Sequence, residues 1–217
     1  MKATDGTGSA DGTKAMEATK ATGEPGADWT ACQVALPALQ NWLVLDLATE
    51  DPESWARDLA AAHLDTGARP EWVEAFAADL LWYWGAARRQ GALCAALLAP
   101  ADGAVMASCT VRELKLPAQY LSVAALRAEV AHAEGPFFGS QDLTEVDLPL
   151  GPALRVHRLE PTDPESDTGG ITEGVAHYVL PSRYPTALEC RLLWSTLGFG
   201  EELEQVADAL ARSVTLA

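Results

Sequence analysis

The spacing of apolar positions changes several times along the chain, and each change marks an element. From residue 29 the first apolar runs, 34–36 and 42–47, are short and split by Pro37, and read as a strand pair or one broken strand. Asp51, Pro52 and Glu53 then supply a capping acid, a first-turn proline and a first-turn acid. Trp55, Leu59, Ala62 and His63 follow at helical spacing. After a turn over 65–69, Pro70 opens a second helix with a broad stripe of Trp72, Phe76, Ala77, Leu80, Tyr83, Trp84 and Ala87. Arg88, Arg89 and Gly91 close it, with positive charge and a glycine where a helix C-terminus favours them.

Beyond that helix the spacing turns strand-like. Runs 92–99 and 104–116 flank Pro100, Ala101, Asp102 and Gly103, which have hairpin-turn chemistry. A third helix is expected over 120–132, then a loop over 134–142 that carries Phe137 and Phe138. Segments 143–148 and 153–159 form a strand pair, 160–170 an acidic loop, and 173–180 with 186–195 a last pair. In the last strand Leu188, Cys190, Leu192 and Trp194 alternate onto one face, and Glu189 and Arg191 onto the other. A final helix from about residue 201 buries Leu203, Ala207, Leu210 and Val214. Hairpin-like pairs without βαβ alternation predict an α+β fold: a mainly antiparallel sheet of hairpin-connected strands with helices packed on one face.

Composition divides the chain in two. Residues 1–28 are low-complexity and rich in Ala, Gly and Thr, too apolar-poor to offset the entropy of ordering, and are expected to be a disordered tail. Residues 29–217 are expected to form a single domain. The net charge of −16 lies mostly there, since the tail holds three Lys against five acids. Such a surface repels phosphate backbones and anionic membranes, and suits a partner with a basic surface. No secretory leader and no membrane span are read, so a cytoplasmic location is expected. Cys32, Cys94, Cys109 and Cys190 form no close pair along the sequence and read as buried free thiols.

Candidate chemistry is sparse. The acidic loop from Glu160 to Asp167 lacks the glycine and the final glutamate of a calcium loop. No nucleophile motif is present, and no catalytic, cofactor or metal residue is assigned. His157 and His177 fall in strands that are candidates to neighbour each other, a polar pair for a pocket between sheet and helices. The aromatics stand out. Trp82, Tyr83 and Trp84 are each about 100° apart around a helix, so they cannot all face one core. Either the helix is buried on two sides or one ring is exposed, and on the second alternative Trp72, Trp82, Trp84, Phe137 and Phe138 are the candidate interface.

Gly174, Val175, Ala176, His177, Tyr178, Val179, Leu180 and Pro181, then 188–196, then the helix through Ala207, Asp208, Ala209 and Leu210, carry a resemblance. This stretch resembles the C-terminal end of PsbP-like α+β proteins, and more closely small cytosolic proteins of high-GC actinobacteria. The resemblance covers the last ~45 residues and implies an antiparallel sheet flanked by helices. It also implies a binding or assembly role, with no site residue to carry over. Three functions follow in order: a non-enzymatic interaction, assembly or chaperone-type module; a small-molecule binder or enzyme built on His157 and His177; and a subunit that homo-oligomerises through an edge strand or the second helix.

Overall fold

The computed structural model describes residues 14–17, 32–37, 41–64, 67–101, 103–132, 135, 137–162 and 170–216. In chain order these form β1 (Lys14–Glu17), β2 (Cys32–Leu36), β3 (Trp42–Val44), α1 (Pro52–His63), α2 (Pro70–Arg89), β4 (Ala92–Leu98) and β5 (Ala107–Leu114). There follow α3 (Val123–His132), β6 (Phe138–Leu148), β7 (Gly151–Pro161), β8 (Ile171–Val179), β9 (Ala187–Trp194), α4 (Gly200–Ser213) and β10 (Thr215–Leu216).

Seven strands make one antiparallel sheet in the order β3-β4-β5-β9-β8-β7-β6, and β1-β2-β10 make a small second sheet. The large sheet is thus two runs of sequential strands, β3–β5 (with α1 and α2 between β3 and β4) and the meander β6–β9, joined where β5 pairs with β9. The α+β expectation holds, with one correction. The helices divide between the two faces of the sheet instead of sharing one. Cys94, Ala96, Cys109, Val111, Leu192 and Trp194 point to a core closed by α4 and by β2 of the small sheet. On the opposite face Ala95 and Leu97 pack with Leu80 and Phe76 of α2 and Ala56 and Ala60 of α1. Leu154 and Val156 pack under Leu126 of α3 on that same face. The unbroken apolar run of β4 reflects this two-sided cover.

Other differences have local causes. The 34–36 and 42–47 runs do not pair with each other: β2 joins the small sheet and β3 pairs with β4, an outcome of long-range partners. The expected loop over 134–142 is largely β6, a sheet-edge strand whose exposed, polar composition hides the strand period. The third helix starts later than predicted, at Val123, because the Ser122 hydroxyl accepts from the Ala125 N–H and caps it. Of the expected tail, only 14–17 lie among the described residues, and they pair antiparallel with β2. A strand edge satisfies backbone groups whatever the side chains, so apolar content does not forecast such pairing. The loop residues 163–169 lie outside the described residues. No described helix is long and apolar enough to cross a membrane.

α1 starts as its sequence requires: the Asp51 carboxylate accepts from the Ser54 N–H at 3.0 Å and Pro52 takes the first turn. α2 ends at Arg89 with Gln90 as its C-cap, and Gly91 follows with φ 66, a conformation that favours glycine.

Candidate functional site

α2 covers one flank of its face of the sheet and α3 the other. Between them the middle strands present Ser108 and Thr110 of β5 and Arg191 and Leu193 of β9 to a cleft of about 420 Å³. α2 supplies its second wall through Trp82, Tyr83 and Gln90, and Glu160 and Thr172 close the far end. Trp82 is 61% exposed. Its ring meets that of Tyr83 edge-on, with centroids 4.8 Å apart.

The charges in this cleft are engaged. Arg191 Nη2 donates to both oxygens of Glu160 at 2.5 and 2.6 Å, and Arg158 Nε donates to Oε1 at 2.8 Å. Burial works to raise the Glu160 pKa, but the two guanidiniums outweigh it and hold the carboxyl below its usual range. Deeper on the same face Arg112 contacts Glu189, which is buried. Burial first, and Glu189 second, push the Tyr178 phenol up to about 12, so it stays protonated.

The other predicted aromatics serve different ends. Trp84 donates its indole N–H to the Asp46 carbonyl at 2.8 Å, and Arg88 lies over its ring while holding the Leu47 carbonyl. It locks α2 to the segment after β3. Trp72 is 53% exposed under the Arg69 guanidinium and borders a separate hollow with Phe76 and Gly103. Phe137 is half-buried, and Phe138 is exposed at the start of the edge strand β6. Neither phenylalanine lines the Trp82 cleft.

His157 and His177 do share a face, the one covered by α4. Arg155 pairs across the strands with His177, and His157 is one step along β7. They are joined through acids of α4: Arg155 reaches Glu204 at 2.6 Å and Asp208 at 2.9 Å, and His177 Nε2 lies 3.1 Å from Asp208 Oδ1. His157 Nε2 lies 2.8 Å from Glu173 Oε1, and its Nδ1 lies 3.8 Å from Glu204 Oε1. Burial lowers the His177 pKa to about 4 against the pull of Asp208. A neutral ring donating from Nε2 leaves the buried Nδ1 as an unprotonated acceptor without a partner. The two histidines belong to a packed polar layer and line neither the α2 cleft nor the Trp72 hollow.

Glu173, Glu204 and Asp208 escape a residue-by-residue reading of the sequence, yet a signal for them exists. Glu173, Val175 and His177 alternate onto one face of β8, and Glu204 and Asp208 are four apart on α4 beside its buried stripe. The cysteines carry no such signal. They lie far apart in sequence but meet in the core under α4, with Cys32 hydrogen-bonded to Cys94 and Cys109 to Cys190. All four are free and buried, as expected. Those contacts and burial push the Cys94 and Cys190 thiols well up, while the bond from Cys94 lowers Cys32.

Comparison with known proteins gives no matching family model, no matching curated protein and no matching solved structure.

Proposed function

We propose that this protein is a non-enzymatic interaction module, of the assembly or chaperone type, that holds a segment of a protein partner in the cleft between α2 and the sheet. The observation that carries the reading is Trp82, a large ring left 61% exposed at the rim of a formed cleft and propped edge-on by Tyr83. An exposed, pre-oriented tryptophan beside a concave surface is the usual anchor of an interface. The acidic net charge of −16 favours a partner with a basic surface. The carboxylate in the cleft is held by two arginines, which suits a fixed binding wall better than proton transfer. The resemblance of the C-terminal ~45 residues to PsbP-like proteins points the same way.

The test is site-directed photo-crosslinking from position 82, with position 72 as a comparison on the same helix. A partner captured from position 82 is then purified and titrated against wild type and Trp82→Ala. At least tenfold weaker binding by a folded Trp82→Ala is the expected result. Equal binding by the variant removes this surface from the account.

One observation favours a second reading. The cleft volume lies in the range of small-molecule sites, and Gln90, Ser108, Thr110 and Thr172 offer neutral polar groups to a ligand. On that reading the ligand sits in the α2 cleft and not between His157 and His177. A ligand screen read by Trp82 fluorescence separates the two.

A further inference from the structure

The polar layer under α4 gathers ligand atoms as well as ion pairs. Among the described residues, His157, Glu173 and Glu204 place one nitrogen and two carboxylate oxygens within 4.8 Å of one another. They come from three elements, β7, β8 and α4. We propose that these three side chains form a binding site for a single divalent transition-metal ion of the Zn²⁺ class, independent of the α2 cleft.

The distances suit that ion. Bonds of roughly 2.0–2.2 Å from a tetrahedral centre put ligand atoms about 3.4 Å apart. The two contacts of His157, at 2.8 Å to Glu173 and 3.8 Å to Glu204, straddle that value. Each uses a different ring nitrogen, so loading the site needs a modest side-chain rotation that brings both carboxylates to one nitrogen.

Both carboxylates are already oriented by outer partners. Trp194 Nε1 donates to Glu173 Oε2 at 3.0 Å, which leaves Oε1 toward His157. Arg155 takes Glu204 Oε2 at 2.6 Å, which leaves Oε1 on the histidine side. Donors that fix the non-ligating oxygen in this way are a regular feature of metal sites.

Charge points in the same direction. When the imidazoles are neutral, Glu173, Glu204 and Asp208 outnumber the cations that act on this layer, Arg155 and Arg212. A bound cation offsets this excess of carboxylates, which matters in a half-buried site. The mixed nitrogen and oxygen set favours a borderline ion over Ca²⁺ or Mg²⁺, which take oxygen ligands. Three protein ligands leave a fourth position for water. His177 is not among the ligands, because its Nε2 is committed to Asp208.

The experiment titrates the metal-free full chain with Zn²⁺ by calorimetry and records the visible spectrum of the Co²⁺ form. The variants are His157→Gln and Glu204→Gln, with a His63→Gln/His132→Gln double variant as control. Circular dichroism without metal checks each fold, and Glu204, the most exposed of the three side chains, is the substitution least able to disturb it. The expected result is one ion per chain, a higher Tm with Zn²⁺, and at least tenfold weaker binding in each site variant but not in the control. Absence of binding overturns the proposal, and so does equal binding by a folded Glu204→Gln. A thiolate-to-cobalt charge-transfer band in the wild type also overturns it, since the ion would then sit on the cysteines.

Discussion

His177 and Asp208 form a one-sided partnership: Nε2 is held at 3.1 Å from the carboxylate, and Nδ1 is buried without an acceptor. Protonating the ring would place a second N–H where nothing receives it. Its pKa of about 4 lies below the ordinary 6.5 of the unfolded chain. Between those values the unfolded state takes up a proton that the folded state refuses, so stability falls as pH drops from about 7 to 4. The loss is up to about 3 kcal/mol from this residue. The Glu160 carboxylate, held low by its arginines, adds a loss in the same direction at lower pH, as it becomes protonated in the folded state. Urea unfolding at stepped pH should show a shallower decline in His177→Gln than in wild type. Identical slopes would remove His177 as the cause.

Two tryptophans should differ sharply on truncation. Trp194 is 1% exposed and central to the core under α4, and Trp194→Ala should cost about 3–5 kcal/mol. Trp82→Ala should change stability by no more than about 0.5 kcal/mol, because its ring is mostly in water. Chemical denaturation of the two variants checks the contrast, and a large loss at Trp82 would mark it as a packing residue.

Gly151 begins β7 with φ 155, and a Cβ there would lie 2.1 Å from the Leu180 carbonyl oxygen. That oxygen is backbone and has little freedom to move aside. Gly151→Ala should destabilise by about 2 kcal/mol or more. Gly67→Ala, where a Cβ meets nothing within 4 Å, is the matched control. Thermal melts of the pair decide it.

The four thiols should be silent to a thiol-specific reagent in the native protein, since none is more than 3% exposed. All four should react together once the chain unfolds. Partial labelling at native stability would show that β2 opens separately from the rest of the core.

What the sequence discloses follows the range of the forces involved. α1 and α2 are legible nearly to the residue because Asp51, Pro52, Pro70 and Gly91 act on their own neighbours. That Trp82, Tyr83 and Trp84 cannot share one side of a helix is legible too, but which ring is left exposed is not. Pairing is not legible. Nothing local tells β2 to leave β3 for another sheet, or draws Cys94, Cys109 and Cys190 onto adjacent strands. The trio of His157, Glu173 and Glu204 is of the same kind, because α4 settles onto β7 and β8 only when the whole sheet exists. β6 was hidden by its position at an edge, where strands carry polar residues.

The seam between β5 and β9 also sets an order of assembly. β4 and β5, and likewise β6 to β9, follow one another directly along the chain, and β3 reaches β4 through α1 and α2, but Val111 can meet Cys190 only after the whole of β6–β8 has been laid down. Contacts between such distant residues carry the largest loop-closure entropy and slow folding most. The two halves therefore have the means to form their own hairpins early and to wait for one late docking event. A break in the backbone between β5 and β6 would cut no hairpin, and two separately made fragments would find each other along the eight residue pairs of β5 and β9 and again where β2 meets β10 and α4.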